Sequence, residues 1–271
     1  MNAAVIINRT KEEAESYSGI LIRELQKRGA AIRIFQNKDY VREDLLGSDF
    51  IITLGGDGTI LHTAGMLRGG GIPILGINTG HLGYLTELSR REQIPKAVKA
   101  LFSGKFYRDR RAMLFGELSR EDGEGMGRLS LNEILLSRSR GVGMLHFRIY
   151  CDGQMMYRYS ADGIIIASPT GSTAYNLSAG GPIISPTAPV YIMTPICAHS
   201  MNARAVVMDD QRELEILVES ENQLLSFDGE DTTELRPGDR IRIRKAWEET
   251  VLVKLREGSF LEILRDKMAG V

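Results

Sequence analysis

Phe50-Ile51-Ile52-Thr53-Leu54-Gly55-Gly56-Asp57-Gly58-Thr59 decides the fold. The apolar run Phe50–Leu54 reads as a buried strand. Gly55 and Gly56 then let the backbone turn sharply with no Cβ in the way. Asp57 and Gly58 follow, and Thr59 to Leu67 reads as the first turns of a helix. A strand, a glycine-rich turn and a helix N-terminus make a phosphate cradle, because free N–H groups and the helix dipole both favour an anion. A carboxylate inside a plain phosphate loop would repel the ligand. It makes sense if it holds a cation that bridges phosphates, or if it takes a proton from an attacking hydroxyl. Both roles belong to phosphoryl transfer. A tight turn whose aspartate caps the following helix is the alternative reading. No Gly-Lys-Ser/Thr follows, so this is not a Walker A loop, and it is not the Gly-x-Gly-x-x-Gly dinucleotide fingerprint.

Outward from this loop, strands alternate with helices. Ala3–Ile7 reads as a strand. Lys11–Lys27 reads as a helix with Ala14, Tyr17, Leu21 and Leu25 on one face and Gly29 at its C-terminal cap. Ala31–Phe35 and Ile72–Ile77 read as further strands, and Arg91–Phe102 as a helix with Pro95 in its first turn and Gly104 closing it. The alternation predicts a Rossmann-like parallel sheet with helices on both faces. Ligands of such sheets bind outside the carboxyl ends of the strands. The Asp57 loop and Asn78–Tyr84 lie at two such ends.

Beyond Phe106 the texture becomes a series of short strands: Arg111–Leu118, Leu129–Leu136, Leu145–Cys151, Met155–Tyr159, Gly163–Ala167, Val190–Met193, Leu214–Val218, Leu224–Phe227 and Arg240–Ile243. Asp152-Gly153, Asp228-Gly229 and Pro237-Gly238-Asp239 are turn signals between them. This predicts an all-β, sandwich-like second domain. Ser259–Lys267 reads as a final helix with Phe260, Ile263 and Leu264 on one face.

Composition narrows the classes. The 34 basic and 35 acidic side chains leave a net charge of −1, which gives no electrostatic case for nucleic-acid or membrane binding. No apolar run approaches a membrane span, and the first residues lack a signal peptide's basic start. Cys151 and Cys197 show no paired spacing, so a reducing, cytoplasmic setting is expected. The four histidines show no metal-ligand spacing.

Three further stretches carry candidate chemistry. Asn132-Glu133 interrupts an apolar strand, where an amide and a carboxylate can read the donor and acceptor edge of a purine, or can be an exposed strand end. Asp162–Pro182 is densest: Ser168, Thr170, Ser172 and Thr173 are followed by Tyr175 and Ser178 at helical spacing. Small hydroxyl residues at a helix start offer donors for phosphate or ribose oxygens, and the tyrosine can stack on a base. A capped turn is the other possibility. Pro195–Ser200, which contains Ala198, and Phe227–Glu230 each read as turns when taken alone.

These residues resemble the signatures of NAD kinases. Leu54–Thr59, Asn132-Glu133, Asp162-Gly163, Pro169–Tyr175 with Gly180–Pro182, and Thr194–Ile196 with His199-Ser200 occur in that family's order. The first motif is shared with diacylglycerol, sphingosine and phosphofructokinase relatives, whereas Thr170–Tyr175 is specific. The resemblance implies an α/β N-terminal domain, residues 1–104 with 250–271, that binds the phosphate donor. It implies a β-sandwich-like NAD-binding domain, residues 105–249, with the C-terminal segment returning to the first. It implies Mg²⁺-dependent transfer of the ATP γ-phosphoryl group, or that of polyphosphate, to the 2′-hydroxyl of the adenosine ribose of NAD, with Asp57 as general base. Gly55, Gly56, Gly58 and Thr59 would form the phosphate loop. Asn132 and Glu133 would hold ribose or adenine, Thr173, Ala174, Tyr175 and Ser178 the adenine side, and Asp162 the nicotinamide end. Tyr84 matches an aromatic position lining the adenine pocket. His62 stands where many members carry a basic or other residue facing phosphate, Ser160 where some carry an arginine, and Glu230 where the family varies. The resemblance also implies a homodimer or homotetramer with the nicotinamide pocket at an interface. A lipid kinase sharing the Gly-Gly-Asp-Gly-Thr loop, or a non-catalytic dinucleotide sensor, would carry part of the same pattern.

Overall fold

The structure is a computed structural model that describes residues 1–10, 13–80, 83–141, 143–200 and 202–269. The chain divides into two units, Met1–Arg111 with Glu248–Val271, and Ala112–Trp247.

The first unit begins with β1 (Asn2–Ile7), α1 (Ala14–Gln26), β2 (Ala31–Gln36), α2 (Arg42–Leu45), β3 (Phe50–Gly55), α3 (Asp57–Leu67), β4 (Ile74–Asn78) and α4 (Ile94–Ser103). The strands lie in the order β2-β1-β3-β4, all parallel. Every residue of β3 and β4 is buried. Unbroken apolar runs of this kind are what a strand covered on both faces requires. α1 buries Ala14, Tyr17, Leu21 and Leu25, the face expected from its spacing, and α4 adds Ile94, Ala97, Val98 and Leu101 to the same core. Gly104 ends α4 in the left-handed region, at φ 68°. Lys11 and Glu12, the expected first residues of α1, lie outside the described residues.

The second unit is all-β apart from short helical turns. Its strands are β5 (Tyr107–Ser119), β6 (Gly125–Ser130), β7 (Glu133–Arg138), β8 (Leu145–Cys151), β9 (Gln154–Ala161), β10 (Gly163–Ala167), β11 (Val190–Ile196), β12 (Val206–Asp209), β13 (Leu214–Val218), β14 (Gln223–Phe227), β15 (Glu230–Leu235) and β16 (Arg240–Lys254), with the one-turn helix α5 at Tyr175–Ser178. Six strands form one antiparallel sheet, β12-β11-β10-β7-β14-β15. The first half of β16, β13, β8 and β9 form a second antiparallel layer. Leu136, Ile164, Ile166, Tyr191 and Met193 of the first sheet and Phe147, Ile149, Leu214, Ile216 and Ile241 of the second share one core, as facing sheets do. The Asp152-Gly153 and Asp228-Gly229 corners carry positive φ at both residues, 48° and 79°, 52° and 73°. That geometry is what two-residue hairpins need, and it joins β8 to β9 and β14 to β15.

The second half of β16 lies in the first unit, where Leu252 pairs with Ile74 of β4 in parallel. The helix α6 (Ser259–Met268) follows it. The expected fold class, a parallel α/β unit, an antiparallel sandwich and a returning C-terminal segment, is thus found.

α2, β12 and β15 are not among the expected elements, one expected strand is divided and another is much extended. The run Leu129–Leu136 is two strands, broken at Leu131-Asn132, because the Asp228 carboxylate takes the N–H groups of Leu131, Asn132 and Glu133. Arg240–Ile243 is the start of a fifteen-residue strand. β15, with only Leu235 fully buried, lacks an apolar pattern and forms because its hairpin turn delivers it to β14.

Candidate active site

In the first unit, the loops that leave β1, β3 and β4 meet at the carboxyl edge of the sheet. Gly55 pairs with Asn78, and the Asn8 N–H donates to the Leu54 carbonyl at 2.8 Å. A Cβ on Gly55 would lie 2.3 Å from Thr59 Oγ1, so any other residue there would displace that side chain. The helix starts two residues earlier than the sequence suggests: Gly56 is the N-cap and Asp57 the first helical residue. Asp57 therefore is not the cap of α3. Its carboxylate reaches the segment after β4 instead. Oδ2 accepts the Tyr84 N–H at 2.7 Å, and Oδ1 accepts those of Leu85 and Thr86 at 3.1 and 3.3 Å. Gly83 is what admits it, since a Cβ there would stand 2.0 Å from Asp57 Oδ1. Gly58 is exposed beside it, and Gly56 and Thr59 are half-buried.

Tyr84 is half-buried with Lys267 Nζ of α6 4.9 Å above its ring centroid. Burial, and after it the Asp57 charge, raises its hydroxyl pKa. His62, one turn into α3, is half-buried with its ring edge-on to Tyr40 at 5.5 Å. The Thr79 N–H donates to the Gly55 carbonyl at 3.3 Å, while its buried hydroxyl has no hydrogen-bond partner. His81 and Leu82, within the candidate segment Asn78–Tyr84, lie outside the described residues.

In the second unit, Asn132 and Glu133 are both 8% exposed. Glu133 opens β7 and Asn132 precedes it, and the pair is clasped from two sides. Asp228 accepts three consecutive N–H groups, from Leu131 at 2.7 Å, Asn132 at 2.7 Å and Glu133 at 3.0 Å. From the other side the Ser168 N–H donates to the Asn132 carbonyl at 2.8 Å, and a Cβ on Gly171 would fall 2.1 Å from that oxygen. The Glu133 carboxylate has one oxygen, Oε2, that is buried without a partner. Burial first, and the neighbouring Asp228 second, push its pKa up to about 7. Burial also raises Asp228, to about 6, against the pull of its three N–H donors. A buried acceptor without a protein partner can take a hydrogen bond from a ligand.

The hydroxyl-rich stretch bonds largely to its own loop and to neighbouring backbone. Ser168 Oγ donates to the Leu131 carbonyl at 2.5 Å, and Ser172 Oγ to the Pro169 carbonyl at 2.7 Å. Asn176, fully buried, donates to the Ser172 and Pro182 carbonyls and accepts from Thr194 Oγ1 at 2.7 Å. These groups hold the loop's shape, so the Ser168 and Ser172 hydroxyls are not the free donors the sequence suggested. Thr173 and Ala174 are half-buried, and Tyr175 and Ser178 exposed. Asp162 is half-buried in an ion pair with Arg138. Ser160 Oγ hydrogen-bonds His146 Nδ1 at 2.9 Å, and its carbonyl accepts the His199 N–H at 2.9 Å beside the half-buried Ala198. Glu230 is half-buried at the start of β15, where its charge adds to the upward push on Asp228.

Two residues of this architecture escape sequence reading. Asp228 looks like an ordinary hairpin corner, and only its φ of 52° aims its carboxylate at the 131–133 backbone. Gly83 carries no motif, and its need is visible only once Asp57 lies against it. The first-unit and second-unit groups are each assembled from residues far apart in sequence.

The chain resembles known proteins along most of its length. The ATP-NAD kinase N-terminal domain matches residues 8–106, and the ATP-NAD kinase C-terminal domain matches residues 131–255. The NAD kinase of Caldanaerobacter subterraneus subsp. tengcongensis is 41% identical over 223 residues, 82% of this chain and 78% of that protein. The NAD kinase of Ruminiclostridium cellulolyticum is 36% identical over 277 residues, 97% of this chain and 96% of that protein. Among solved structures, an NAD kinase from Archaeoglobus fulgidus in complex with ATP superposes with a TM-score of 0.81 at 28% identity over the full length of both chains. The fold is also that of yeast NADH kinase, solved with NADH, with a TM-score of 0.91 at 24% identity over 99% of this chain and 88% of that one. A carboxylate-bearing glycine loop on a parallel sheet, a buried Asn-Glu pair clasped by a hydroxyl-rich loop, and relatives matched along nearly the whole chain lead to one conclusion: this chain belongs to the ATP-NAD kinase family.

Proposed function

We propose that the chain transfers the γ-phosphoryl group of ATP to the 2′-hydroxyl of the adenosine ribose of NAD, giving NADP and ADP, with Asp57 as general base. The bond from ribose O2′ to the γ-phosphorus forms as the bond to the ADP oxygen breaks, and the hydroxyl proton passes to the Asp57 carboxylate. A ribose hydroxyl is a weak nucleophile at neutral pH, so a carboxylate at hydrogen-bond reach lowers the barrier. The observation that carries the reading is the fixing of Asp57 by three backbone N–H groups beside a glycine loop at strand ends. A carboxylate held this way needs no reorganisation when it acts.

The residues of the two units divide the work. Gly55, Gly56, Gly58 and Thr59 cradle donor phosphates, and Tyr84 lines the adenine side. Asn132 and Glu133 bind ribose or adenine, the empty Glu133 Oε2 accepting a ligand hydroxyl or amine. Thr173, Ala174, Tyr175 and Ser178 meet the adenine, and Asp162 the nicotinamide end. Residues 1–104 with 250–271 serve as the donor-binding domain and 105–249 as the NAD-binding domain. Among the described residues no three His, Cys, Asp or Glu side chains converge as a metal site. A Mg²⁺ ion brought in on the ATP phosphates would neutralise charge on the transferring group. No helix among the described residues is long and apolar enough to cross a membrane. Two free cysteines are in keeping with work in the reducing cytoplasm on small-molecule substrates. The exposed Met155 and Tyr157 of β9, at 61% and 40%, fit a homodimer or homotetramer.

The test is to incubate the purified protein with Mg-ATP or Mg-polyphosphate and NAD, NADH or a diacylglycerol, and to identify the product. NADP from NAD supports the reading. A phosphorylated lipid, or no product despite NAD binding, refutes it in favour of a lipid kinase or a sensor. Light scattering that finds a fully active monomer at nanomolar concentration refutes the oligomer.

A further inference from the structure

The first unit buries an ammonium group directly behind the segment that holds Asp57. Lys254, the last residue of β16, is 4% exposed. Its Nζ donates to the Leu85 carbonyl at 3.2 Å and lies 3.5 Å from Glu87 Oε2. Glu87 in turn accepts the Leu255 N–H on Oε1 at 2.9 Å. Asp109 and Arg111 form a second pair nearby, at 2.7 Å, and Arg111 is 4% exposed.

As a stability device this arrangement is a poor one. Desolvation of a buried ion pair commonly cancels its attraction, and apolar side chains of similar volume often do as well or better. What the ammonium does do is direct. The Leu85 carbonyl and the Thr86 N–H are the two ends of one planar peptide unit. The carbonyl end accepts a hydrogen bond from Lys254 Nζ, and the N–H end donates to Asp57 Oδ1 at 3.3 Å. An ammonium on the carbonyl polarises the amide and strengthens the opposite N–H as a donor. It also fixes the plane, so that neither end can rotate away. The next residues are pinned independently: the Glu87 N–H donates to the Gly76 carbonyl at 2.8 Å, and the Asn78 N–H to the Leu88 carbonyl at 2.7 Å. These bonds to β4 do not reach the Leu85–Thr86 peptide, which Lys254 holds instead.

We infer that Lys254 is a positioning residue for phosphoryl transfer: through the Leu85–Thr86 peptide it orients the Asp57 carboxylate. The inference rests on Asp57 acting as the base. It also gives the C-terminal return of the chain a task, since β16 carries this lysine from the far end of the sequence to the back of the Asp57 loop.

The experiment compares four proteins: wild type, Asp57→Asn, the double variant Lys254→Met/Glu87→Gln, and the triple combination. The double variant removes the ion pair without stranding a buried charge. It is expected to keep its melting temperature within a few degrees and KM for ATP and NAD within about twofold, while kcat falls about 10- to 100-fold, the cost of misplacing a reacting group by about 1 Å. In the Asp57→Asn background the same pair of changes should alter kcat less than about twofold, because residues that act as a unit are not additive. Amide exchange should quicken at Thr86 in the double variant and stay unchanged in β1 and β3. A folded double variant with unchanged kcat overturns the inference, and so does an equal fractional fall in both backgrounds, the mark of a general structural effect. If Asp57→Asn keeps the wild-type rate, the reading of Asp57 fails first. If Asp57→Asn loses it and the double variant does not, only this inference fails. Should the Lys254→Met change prevent folding, Lys254→Gln with Glu87→Gln, which keeps a polar side chain, is read by the same criteria.

Discussion

Asp57→Asn separates chemistry from scaffolding on one residue. In the native loop Oδ1 accepts two N–H groups and Oδ2 one. Asparagine can keep the Leu85 and Thr86 bonds by turning its oxygen toward them. Its amide group then faces the Tyr84 N–H, donor against donor. One hydrogen bond to a charged acceptor is lost and one N–H is left without a partner, a cost of about 1–3 kcal/mol. For a chain of this size each kcal/mol lowers Tm by roughly 2–4 °C, so a fall of a few degrees is expected. Loss of the proton acceptor should lower kcat by about 10²–10⁴-fold. NAD affinity, measured by calorimetry, should change little, because Asn132, Glu133 and the 173–178 segment are untouched. The assay is steady-state NADP formation across a Mg²⁺ titration, alongside calorimetry and a thermal melt. A cation-ligand role for Asp57 would instead show a rate partly restored by high Mg²⁺. An Asn variant that keeps more than about a tenth of the wild-type kcat, well short of the hundredfold minimum for a lost base, would refute the general-base reasoning.

Four other outcomes follow from the geometry. Glu133→Ala should weaken NAD binding by about 1–3 kcal/mol, the cost of stranding a ligand donor; calorimetry on the folded variant checks it, and unchanged affinity counts against the assignment. Glu133 also sets a pH dependence. Its carboxyl titrates near 4.5 in an unfolded chain and about 7 in the folded one, so the folded protein holds the proton more tightly. Its contribution is therefore most favourable below pH 4.5, declines by about 1.4 kcal/mol per pH unit through the window, and is fully lost above 7. Glu133→Gln lacks this decline, so its melting temperature should gain on wild type from pH 4.5 to 7, and parallel curves would disprove the shift. Gly83→Ala puts a Cβ 2.0 Å from Asp57 Oδ1 at a position with an ordinary backbone, so the protein should fold while kcat drops about a hundredfold with the carboxylate displaced; an unchanged kcat would show that the carboxylate position is unimportant. Gly171→Ala places its Cβ 2.1 Å from a backbone oxygen, that of Asn132. Nothing flexible can give way, so a loss of several degrees in Tm and of NAD binding is expected, and a variant that melts and binds like wild type would argue against the clasp.

The sequence by itself determined most of what depends on local periodicity and backbone freedom. Phe50–Leu54 had to be buried on both faces, and its unbroken apolar run said so. Gly104, Asp152-Gly153 and Asp228-Gly229 marked ends and corners because few other residues adopt positive φ. The loop Gly55–Thr59 announced phosphate chemistry because glycine, carboxylate and helix start stand within five residues. What the tertiary structure alone decided lies between residues distant in sequence. Nothing near Asp57 indicates that its carboxylate leaves its own helix for the Tyr84, Leu85 and Thr86 backbone, or that Gly83 must stay bare to receive it. Asp228 interrupts a strand 95 residues earlier in the chain, against the apolar pattern that favoured one continuous run there. Lys254 reads as the charged end of a strand, and only folding shows it 169 residues from its partner carbonyl and out of water. Hydrogen bonds of this range are set by where the sheets bring the backbone, and side-chain order along the chain carries no trace of them.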